Sequence, residues 1–215
     1  MIKIEKTNVS GWDATIRGMR NPMNSWSNSD SYWTHIEDDG TLETAKYQFF
    51  LGDNDIRLMQ SLSKAGDDHG KFLRMINVTF DITAPLYWWK EFDTYKIGTV
   101  ANSCSTMHKI HAKEFTLGDF SWERLNNSSI EVLELVIDKL NENRKLYIET
   151  KDKHYWEQMI QLLPSSYEQK RTIQANYQVL KAMYAARVDH KLSEWREFCK
   201  WCETLPYFTD ICLVK

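Results

Sequence analysis

A polar run from Asn102 to His108 holds the first residues whose types could do chemistry. It reads Asn-Ser-Cys-Ser-Thr-Met-His, and Lys96 and Lys109 lie close to it in the sequence. Hydroxyl and amide groups next to cations provide the donors that a phosphate or the edge of a nucleobase needs. Asn and Ser also stabilise turns through side-chain to backbone hydrogen bonds. The run is therefore a candidate ligand site, with a purely structural turn as the alternative.

Cys104, His108 and His111 could hold a metal ion if this region is helical. Their spacing of i, i+4 and i+7 would put them on one helix face, where Cys and His bind zinc. No fourth ligand is evident, so an ordinary helix surface is the favoured interpretation and no metal is assigned. Cys104 with His108 as its base would be the corresponding nucleophile.

A second polar group lies in a stretch that the sequence predicts as one long helix. Asn176, Arg187, His190 and Glu194 fall at offsets 0, 11, 14 and 18. At about 100° per residue the other three positions point within about 40° of the direction of Asn176. Together they would suit a ligand wall in which Arg187 grips a phosphate with both nitrogens. A solvated helix face is the alternative.

The clearest predicted strand leads into the first polar run. Residues 72–84 are rich in β-formers, and the alternate positions from Ile76 to Ile82 are apolar. This pattern is typical of a half-buried strand. Pro85 ends the strand and suits the first turn of a helix over 86–92. The strand and helix together would position the polar run.

The remaining elements give the fold class. Ile2, Ile4 and Val9 indicate a first strand, and the Asn- and Ser-rich residues 21–30 indicate a loop. Helices are predicted over 12–19, after a cap at Asp53, after a cap at Ser128-Ser129, over 155–163 and over 165–203. The last is predicted as one long helix, with a single break in it as the alternative. The prediction is an α+β protein with more helix than sheet. Its length of 215 residues favours a single domain over 1–215.

Composition excludes several function classes. The net charge of −3 argues against a nucleic-acid-binding surface, and no apolar run approaches the roughly 18 residues of a membrane span. The N-terminus lacks the apolar core of a signal peptide, so we expect a cytoplasmic protein. The four cysteines then read as reduced thiols. Cys199 and Cys202 continue the apolar stripe of the long helix, so they are predicted to be buried.

Two separated segments carry a recognisable pattern. One is the strand and proline Val78–Pro85 with the helix after it. The other starts at Leu163-Pro164 and continues through Thr172, Asn176, Arg187, Glu194-Trp195-Arg196 and Leu205-Pro206. Together these segments resemble the flavin-dependent thymidylate synthases. Enzymes of that family methylate dUMP with FAD, NADPH and methylenetetrahydrofolate, as homotetramers with active sites between subunits. The resemblance implies an antiparallel or mixed sheet packed with long helices, FAD as cofactor, a nucleotide ligand and a homotetramer.

The family's signature, RHRxxSxNExSxRY, is only partly kept. Counted without gaps from Pro85, it falls on 94–107, where Lys96, Thr99 and Cys104 stand for its second arginine and its two serines. A one-residue insertion would instead place Asn102 on its asparagine and Ser105 on its second serine. Ahead of the strand, Arg74-Met75 replaces the family's acid–histidine pair.

The resemblance assigns roles to nine residues and leaves the catalytic residues unassigned. Cofactor binding falls to Lys96, Thr99, Asn102 and Asn176, and substrate binding falls to Lys90, Ser103, Cys104, Ser105 and Arg187. Lysine cannot reproduce the planar fork of arginine, and a fold does not fix a function. Two functions therefore stay open: a divergent flavin- and nucleotide-binding enzyme, and a non-catalytic binding or accessory protein of the same fold. A metal-dependent hydrolase is the least favoured.

Overall fold

The structure is a computed structural model that describes residues 1–36 and 46–214. Within them the chain forms six strands and nine helices. The strands are β1 (Lys3–Ser10), β2 (Tyr32–Ile36), β3 (Lys46–Phe50), β4 (Asn77–Pro85), β5 (Val100–Ser103) and β6 (Glu168–Asn176). The helices are α1 (Trp12–Arg20), α2 (Asp53–Lys64), α3 (Leu86–Phe92), α4 (Thr106–Lys109), α5 (Asn127–Thr150), α6 (Lys153–Leu162), α7 (Tyr177–Arg187), α8 (Ser193–Glu203) and α9 (Phe208–Cys212). The predicted α+β class is confirmed.

Four strands form one sheet in the order β1-β4-β6-β5, and β2 pairs with β3 in an antiparallel arrangement. The contacts divide the chain into two compact units. Unit 1 comprises residues 1–7, 80–96 and 100–173, and unit 2 comprises residues 8–79, 97–99 and 174–215. Strands β1, β4 and β6 contribute residues to both units. The single domain over 1–215 stays a prediction.

Strand β4 follows the predicted alternation. Val78, Phe80, Ile82 and Ala84 are at most 1% exposed, as one face of a half-buried strand should be. The strand begins at Asn77 rather than at residue 72, because residues 70–75 form a 3₁₀ turn. The helix after Pro85 covers the predicted range.

The predicted long helix over 165–203 is wrong. Its first part is strand β6. In this strand Gln169, Ile173 and Ala175 are buried, and Gln174, between the last two, is exposed. Ile173 and Tyr177 are four residues apart, so they fit a helical stripe and a strand running into a helix equally well. A second break separates α7 from α8, where the Arg196 guanidinium donates to the main-chain oxygen of Lys191 and closes the turn.

Two helix starts lie near their predicted positions with different caps. Helix α2 has Gly52 as its N-cap and Asp53 as its first residue. Helix α5 is capped by Asn126, whose side-chain oxygen accepts from the Ser129 amide at 2.9 Å. The predicted loop at 21–30 contains two short 3₁₀ turns. No helix in the described part of the chain is long and apolar enough to cross a membrane.

Each unit has its own core. In unit 1, α5 and α6 bury a cluster with the segment before them; its members are Ile110, Phe115, Phe120, Leu133, Ile137, Leu140 and Met159. In unit 2, Trp12 stacks on Phe49 at 5.4 Å between ring centroids and meets Tyr177 and Tyr207 edge-on. Much of the large aromatic content therefore serves packing.

Candidate functional site

Unit 1 contains a cleft of about 290 Å³ at the polar run. Cys104 and Ser105, two of the predicted substrate-binding residues, line it. Its other lining residues are Thr83, Thr106, Lys113, Gly118, Asp119, Tyr167, Glu168, Gln169 and Lys170. The cleft joins the end of β5 to the start of β6, so it draws on segments more than sixty residues apart.

The backbone of Cys104 is held on both sides by β6. Its amide donates to the Lys170 carbonyl at 2.9 Å, and its carbonyl accepts from the Gln169 side-chain amide at 2.8 Å. The Ser105 hydroxyl oxygen then accepts from the His108 amide and caps α4. A capping hydroxyl keeps its own proton, so Ser105 can still donate to a ligand.

The two lysines of this cleft already have carboxylate partners. Lys113 pairs with Asp119, and Lys170 lies 3.0 Å from Asp81. The hydrogen bond to Asp81 raises the pKa of Lys170. Thr172 and Lys170 in turn hold the pKa of Asp81 below its usual value. The cleft is therefore charge-balanced, and its free donors are chiefly hydroxyl groups.

Tyr167 adds one of those hydroxyl groups. Burial, with a smaller contribution from Asp119, raises the pKa of Tyr167 above its ordinary value. The phenol consequently stays protonated at neutral pH and can act as a hydrogen-bond donor in the cleft.

The other predicted residues of unit 1 lie outside this cleft. Lys90 and Lys96 are exposed, on α3 and shortly after it. Asn102 and Ser103 are exposed on β5, the last strand in the sheet order. The fold thus brings Cys104 and Ser105 together with β6 and leaves these four on the surface.

In unit 2, the structure brings two predicted cofactor residues close together. Asn176 caps α7 by accepting from the Val179 amide at 3.0 Å. Gly98 packs against this cap, since a Cβ on Gly98 would lie 3.2 Å from the Asn176 side-chain nitrogen and 2.7 Å from Val179 Cγ2. Thr99, half-buried, is the next residue after this contact. The close approach requires glycine at position 98.

Arg187 lies at the other end of α7. Its guanidinium stands over the Trp195 ring at 4.7 Å. Eleven residues at about 1.5 Å each separate it from Asn176 by roughly 16 Å. His190 and Glu194 fall after the break, so the predicted four-residue line on one continuous helix does not form.

Unit 2 also contains a cleft of about 520 Å³ that the sequence did not reveal. Lys71 and Arg74 line it, and neither side chain has an ion pair or hydrogen bond within residues 1–36 and 46–214. The other lining residues are Gly18, Met19, Pro22, Leu62, Asp68, His69, Phe72 and Met75. Unpaired cations beside apolar walls suit an anionic ligand with an apolar body. The sequence signal that could have pointed to this cleft is Arg74-Met75, which stands where the resembling family has an acid–histidine pair.

The zinc arrangement considered for Cys104, His108 and His111 is not formed. Helix α4 begins at Thr106, so Cys104 precedes it and the three residues do not share a helical face. Across the described residues, no group of three or more His, Cys, Asp or Glu side chains could hold a metal ion. As predicted, Cys199 and Cys202 are buried free thiols.

The whole chain has the fold of the flavin-dependent thymidylate synthases. Flavin dependent thymidylate synthase ThyX from Helicobacter pylori, solved in complex with FAD and dUMP, matches 98% of this chain and 97% of its own at a TM-score of 0.68 and 17% identity. A second structure of ThyX from Helicobacter pylori with FAD and dUMP matches 99% of this chain and 97% of its own, at 0.66 and 16%. No family model and no curated protein matches the sequence. The predicted fold is thereby confirmed.

Proposed function

We propose that this protein binds FAD and a pyrimidine nucleotide of the dUMP type, as a divergent relative of the flavin-dependent thymidylate synthases. One observation carries the proposal: the fold matches, over nearly the full length of both chains, two structures that contain FAD and dUMP. At 16–17% identity this likeness concerns the fold, so the ligands are argued from the residues present.

The unit 2 cleft fits part of FAD. Lys71 and Arg74, which have no ion-pair partner among the described residues, would neutralise a diphosphate, and arginine can hold phosphate oxygens with two nitrogens. Phe72 and Met75 offer apolar contacts for a ring. A cleft of about 520 Å³ lies in the range of small-molecule sites and would hold one half of a dinucleotide. FAD, when bound, would supply the redox chemistry.

The unit 1 cleft fits a nucleotide base. Hydroxyl donors at Ser105 and Tyr167 and acceptors at Glu168 are groups that a uracil edge can use. The balanced charge of this cleft favours a neutral base over a phosphate.

The test is a flavin titration. Purified protein should be yellow, or should quench FAD fluorescence on titration, and dUMP should raise its melting temperature. Arg74→Ala and Lys71→Ala should each weaken FAD binding by about tenfold, the worth of one charge-assisted contact. Lys64→Ala is the matched control, because Lys64 is exposed and does not line the cleft. Absence of both flavin absorbance and a dUMP shift contradicts the proposal.

A second function, a non-catalytic binding or accessory protein, is favoured by one observation. Residues 100–105 stand where the signature falls, and they are exposed and contain no arginine. Trp26 and Trp33, 50% and 47% exposed, would then serve a partner surface. Complementation of a thymidine-requiring strain decides between the two functions, because growth would require turnover.

The proposal also includes a homotetramer, which the family resemblance implies, and the cytoplasmic location that the sequence analysis expects. Light scattering on the purified chain measures the mass directly. A monomer at micromolar concentration would remove the tetramer from the proposal and leave the flavin titration to decide ligand binding.

A further inference from the structure

Gln169 is a buried polar residue that no sequence motif singles out. It is 8% exposed in strand β6 of unit 1. Its side-chain nitrogen donates to the Cys104 carbonyl at 2.8 Å, and its side-chain oxygen accepts from Arg171 Nε at 3.0 Å. Its main-chain oxygen accepts from the Trp89 indole at 3.0 Å. The residue therefore connects three segments of unit 1.

The polarity of this connection is fixed at both ends. An arginine has donors and no acceptor, so the amide oxygen of Gln169 must face Arg171. A main-chain carbonyl has acceptors and no donor, so the amide nitrogen must face Cys104. A flipped amide would break both bonds inside a buried site, where unpaired polar groups are costly. Gln169 can thus hold the Cys104 peptide in one orientation.

Arg171 is itself held rigidly. Its guanidinium lies over the Trp89 ring at 4.1 Å, and Nη1 donates to Asp93 at 2.7 Å. Its side chain is only 14% exposed. Stacking on one face and bonding at the edge restrict an arginine to a single plane. Arg171 therefore presents Nε to Gln169 in a constant direction.

We propose that Gln169, oriented by Arg171, is a positioning residue for the candidate nucleotide site at Cys104 and Ser105. The chain Asp93–Arg171–Gln169–Cys104 adds a side-chain link to a short, exposed segment, which the Cys104 amide bond to β6 and the Ser105 cap also hold. This inference rests on the proposed function, because the segment it positions is a site only if a ligand binds there. It explains how a surface segment without the signature's arginines can keep a defined shape.

Gln169→Glu is the sharpest variant. Glutamate keeps the size of the side chain and strengthens the bond to Arg171, but it has no proton to donate to the Cys104 carbonyl. Hydrogen exchange of the full-length protein, read by mass spectrometry, should accelerate by about three- to tenfold in peptides covering residues 101–105. Exchange in peptides covering β4 should change less than exchange at residues 101–105, and the urea midpoint of the variant measures how much global stability is lost. Arg171→Lys should accelerate the same peptides, because lysine cannot hold both contacts from one plane.

Gln174→Glu is the matched control, since Gln174 lies on the same strand, is exposed and has no side-chain hydrogen bond among the described residues. It should leave exchange at residues 101–105 unchanged. The decisive readout is the affinity for dUMP, which Gln169→Glu should weaken by about three- to tenfold in the folded variant. That substitution also adds a charge to the cleft, which Gln169 lines. Arg171→Lys adds no charge and should weaken dUMP binding as well, which neither a charge effect nor a merely structural role would do.

Two results overturn the inference: unchanged exchange at residues 101–105 in Gln169→Glu, or faster exchange with an unchanged dUMP affinity. Failure of the proposed function looks different, because it is recorded on the wild-type protein as binding of neither FAD nor dUMP. The wild-type protein therefore tests the proposed function, and the Gln169→Glu variant tests the inference.

Discussion

At the scale of single residues, Arg20 and Asp55 form a buried ion pair in unit 2. Arg20 is 4% exposed and Asp55 is fully buried, with 2.7 Å between Nε and Oδ1. Ser29 and Ser31 donate to the other carboxylate oxygen, and Arg20 also binds the main-chain oxygens of Ser25 and Asn28. The pair ties the loop after α1 to α2. Pro22 of that loop lines the unit 2 cleft, which also contains Lys71 and Arg74.

Asp55→Asn should therefore destabilise the protein strongly. Asparagine keeps the shape but leaves the Arg20 charge buried without a counter-charge, which costs about 3–5 kcal/mol. Urea unfolding measures the loss. Asp53→Asn, an exposed position in the same helical turn, is the control and should cost less than about 1 kcal/mol. Equal effects of the two substitutions would contradict a central role for the buried pair.

The stability that Asp55 contributes should depend on pH. Burial alone raises its pKa, but hydrogen bonds from Ser31, Ser29 and Arg20 outweigh burial and hold the pKa below the ordinary value of 3.8. Because the folded pKa is the lower one, the contribution is present above pH 3.8 and is lost as the pH falls through the folded pKa. The difference in unfolding free energy between wild type and Asp55→Asn should consequently shrink in acid. A difference that grows in acid would refute this assignment.

Gly98 allows a second residue-scale prediction. It adopts φ +82°, and a Cβ there would lie 2.7 Å from Val179 Cγ2. Gly66 adopts φ +98° with nothing within 4 Å of such a Cβ. Gly66→Ala should cost about 1–2 kcal/mol from backbone strain alone. Gly98→Ala should cost an additional 1–3 kcal/mol, roughly, because the stiff valine on α7 must move. Thermal unfolding of the two variants compares these costs directly.

Sequence reasoning singled out some of the residues that line the unit 1 cleft and missed others for a physical reason. Cys104 and Ser105 were found because small polar residues next to cations are a local signal. Gln169 and Arg171 were missed because their partners, Cys104 and Asp93, are 65 and 78 residues away. A local pattern carries no information about such contacts.

At the scale of elements, the largest sequence-level error was to predict helix where β6 runs into α7. Alternation in β6 is visible only at Ile173 and Ala175, since Gln169, its remaining buried position, is polar. Burial of a glutamine depends on partners that the sequence does not show. By contrast, β4 was predictable because four apolar residues alternate without a gap. Helix α5 was equally clear from its apolar period.

Asn176 should stabilise the junction of β6 and α7 as an N-cap. Asn176→Ala should cost about 1 kcal/mol, and Asn176→Asp should keep the stability because aspartate caps equally well. Asn126→Ala removes the matching cap of α5 and should cost a similar amount. FAD titration separates capping from binding: both Asn176 variants should weaken FAD binding, whereas Asn126→Ala should not. Full FAD affinity in Asn176→Ala would assign this residue to capping alone.

At the scale of the whole molecule, the chain shares its fold with a ThyX structure at 17% identity. Its sequence matches only part of the signature of the family that it resembles. A fold depends on the spacing of apolar and polar positions, which many sequences satisfy. A ligand site depends on particular groups, and here three signature arginines reduce to Lys96 at most. The overall fold was therefore accessible from pattern and resemblance. The locations of cationic groups, Lys71 and Arg74 among them, needed the three-dimensional structure.

The four cysteines offer a measure of how well the whole chain excludes solvent. Cys104 is exposed, and Cys199, Cys202 and Cys212 are buried. Burial raises the pKa of Cys199 to about 11 and that of Cys212 to about 12, and it also raises the pKa of Cys202. Since the thiolate is the reactive form, Ellman's reagent at mildly alkaline pH should modify one thiol quickly. All four should react in guanidinium chloride.

Cys104→Ser is the control for this titration, and it should remove the fast phase and leave the three slow thiols unchanged. The slow phase should follow global unfolding, so Asp55→Asn should accelerate it by the factor that its loss of stability predicts. Two or more fast thiols in the wild-type protein would contradict the packing of α8 and α9. If Asp55→Asn leaves the rate of the slow phase unchanged, the buried thiols become accessible through local opening, independently of the loop that the Arg20–Asp55 pair holds.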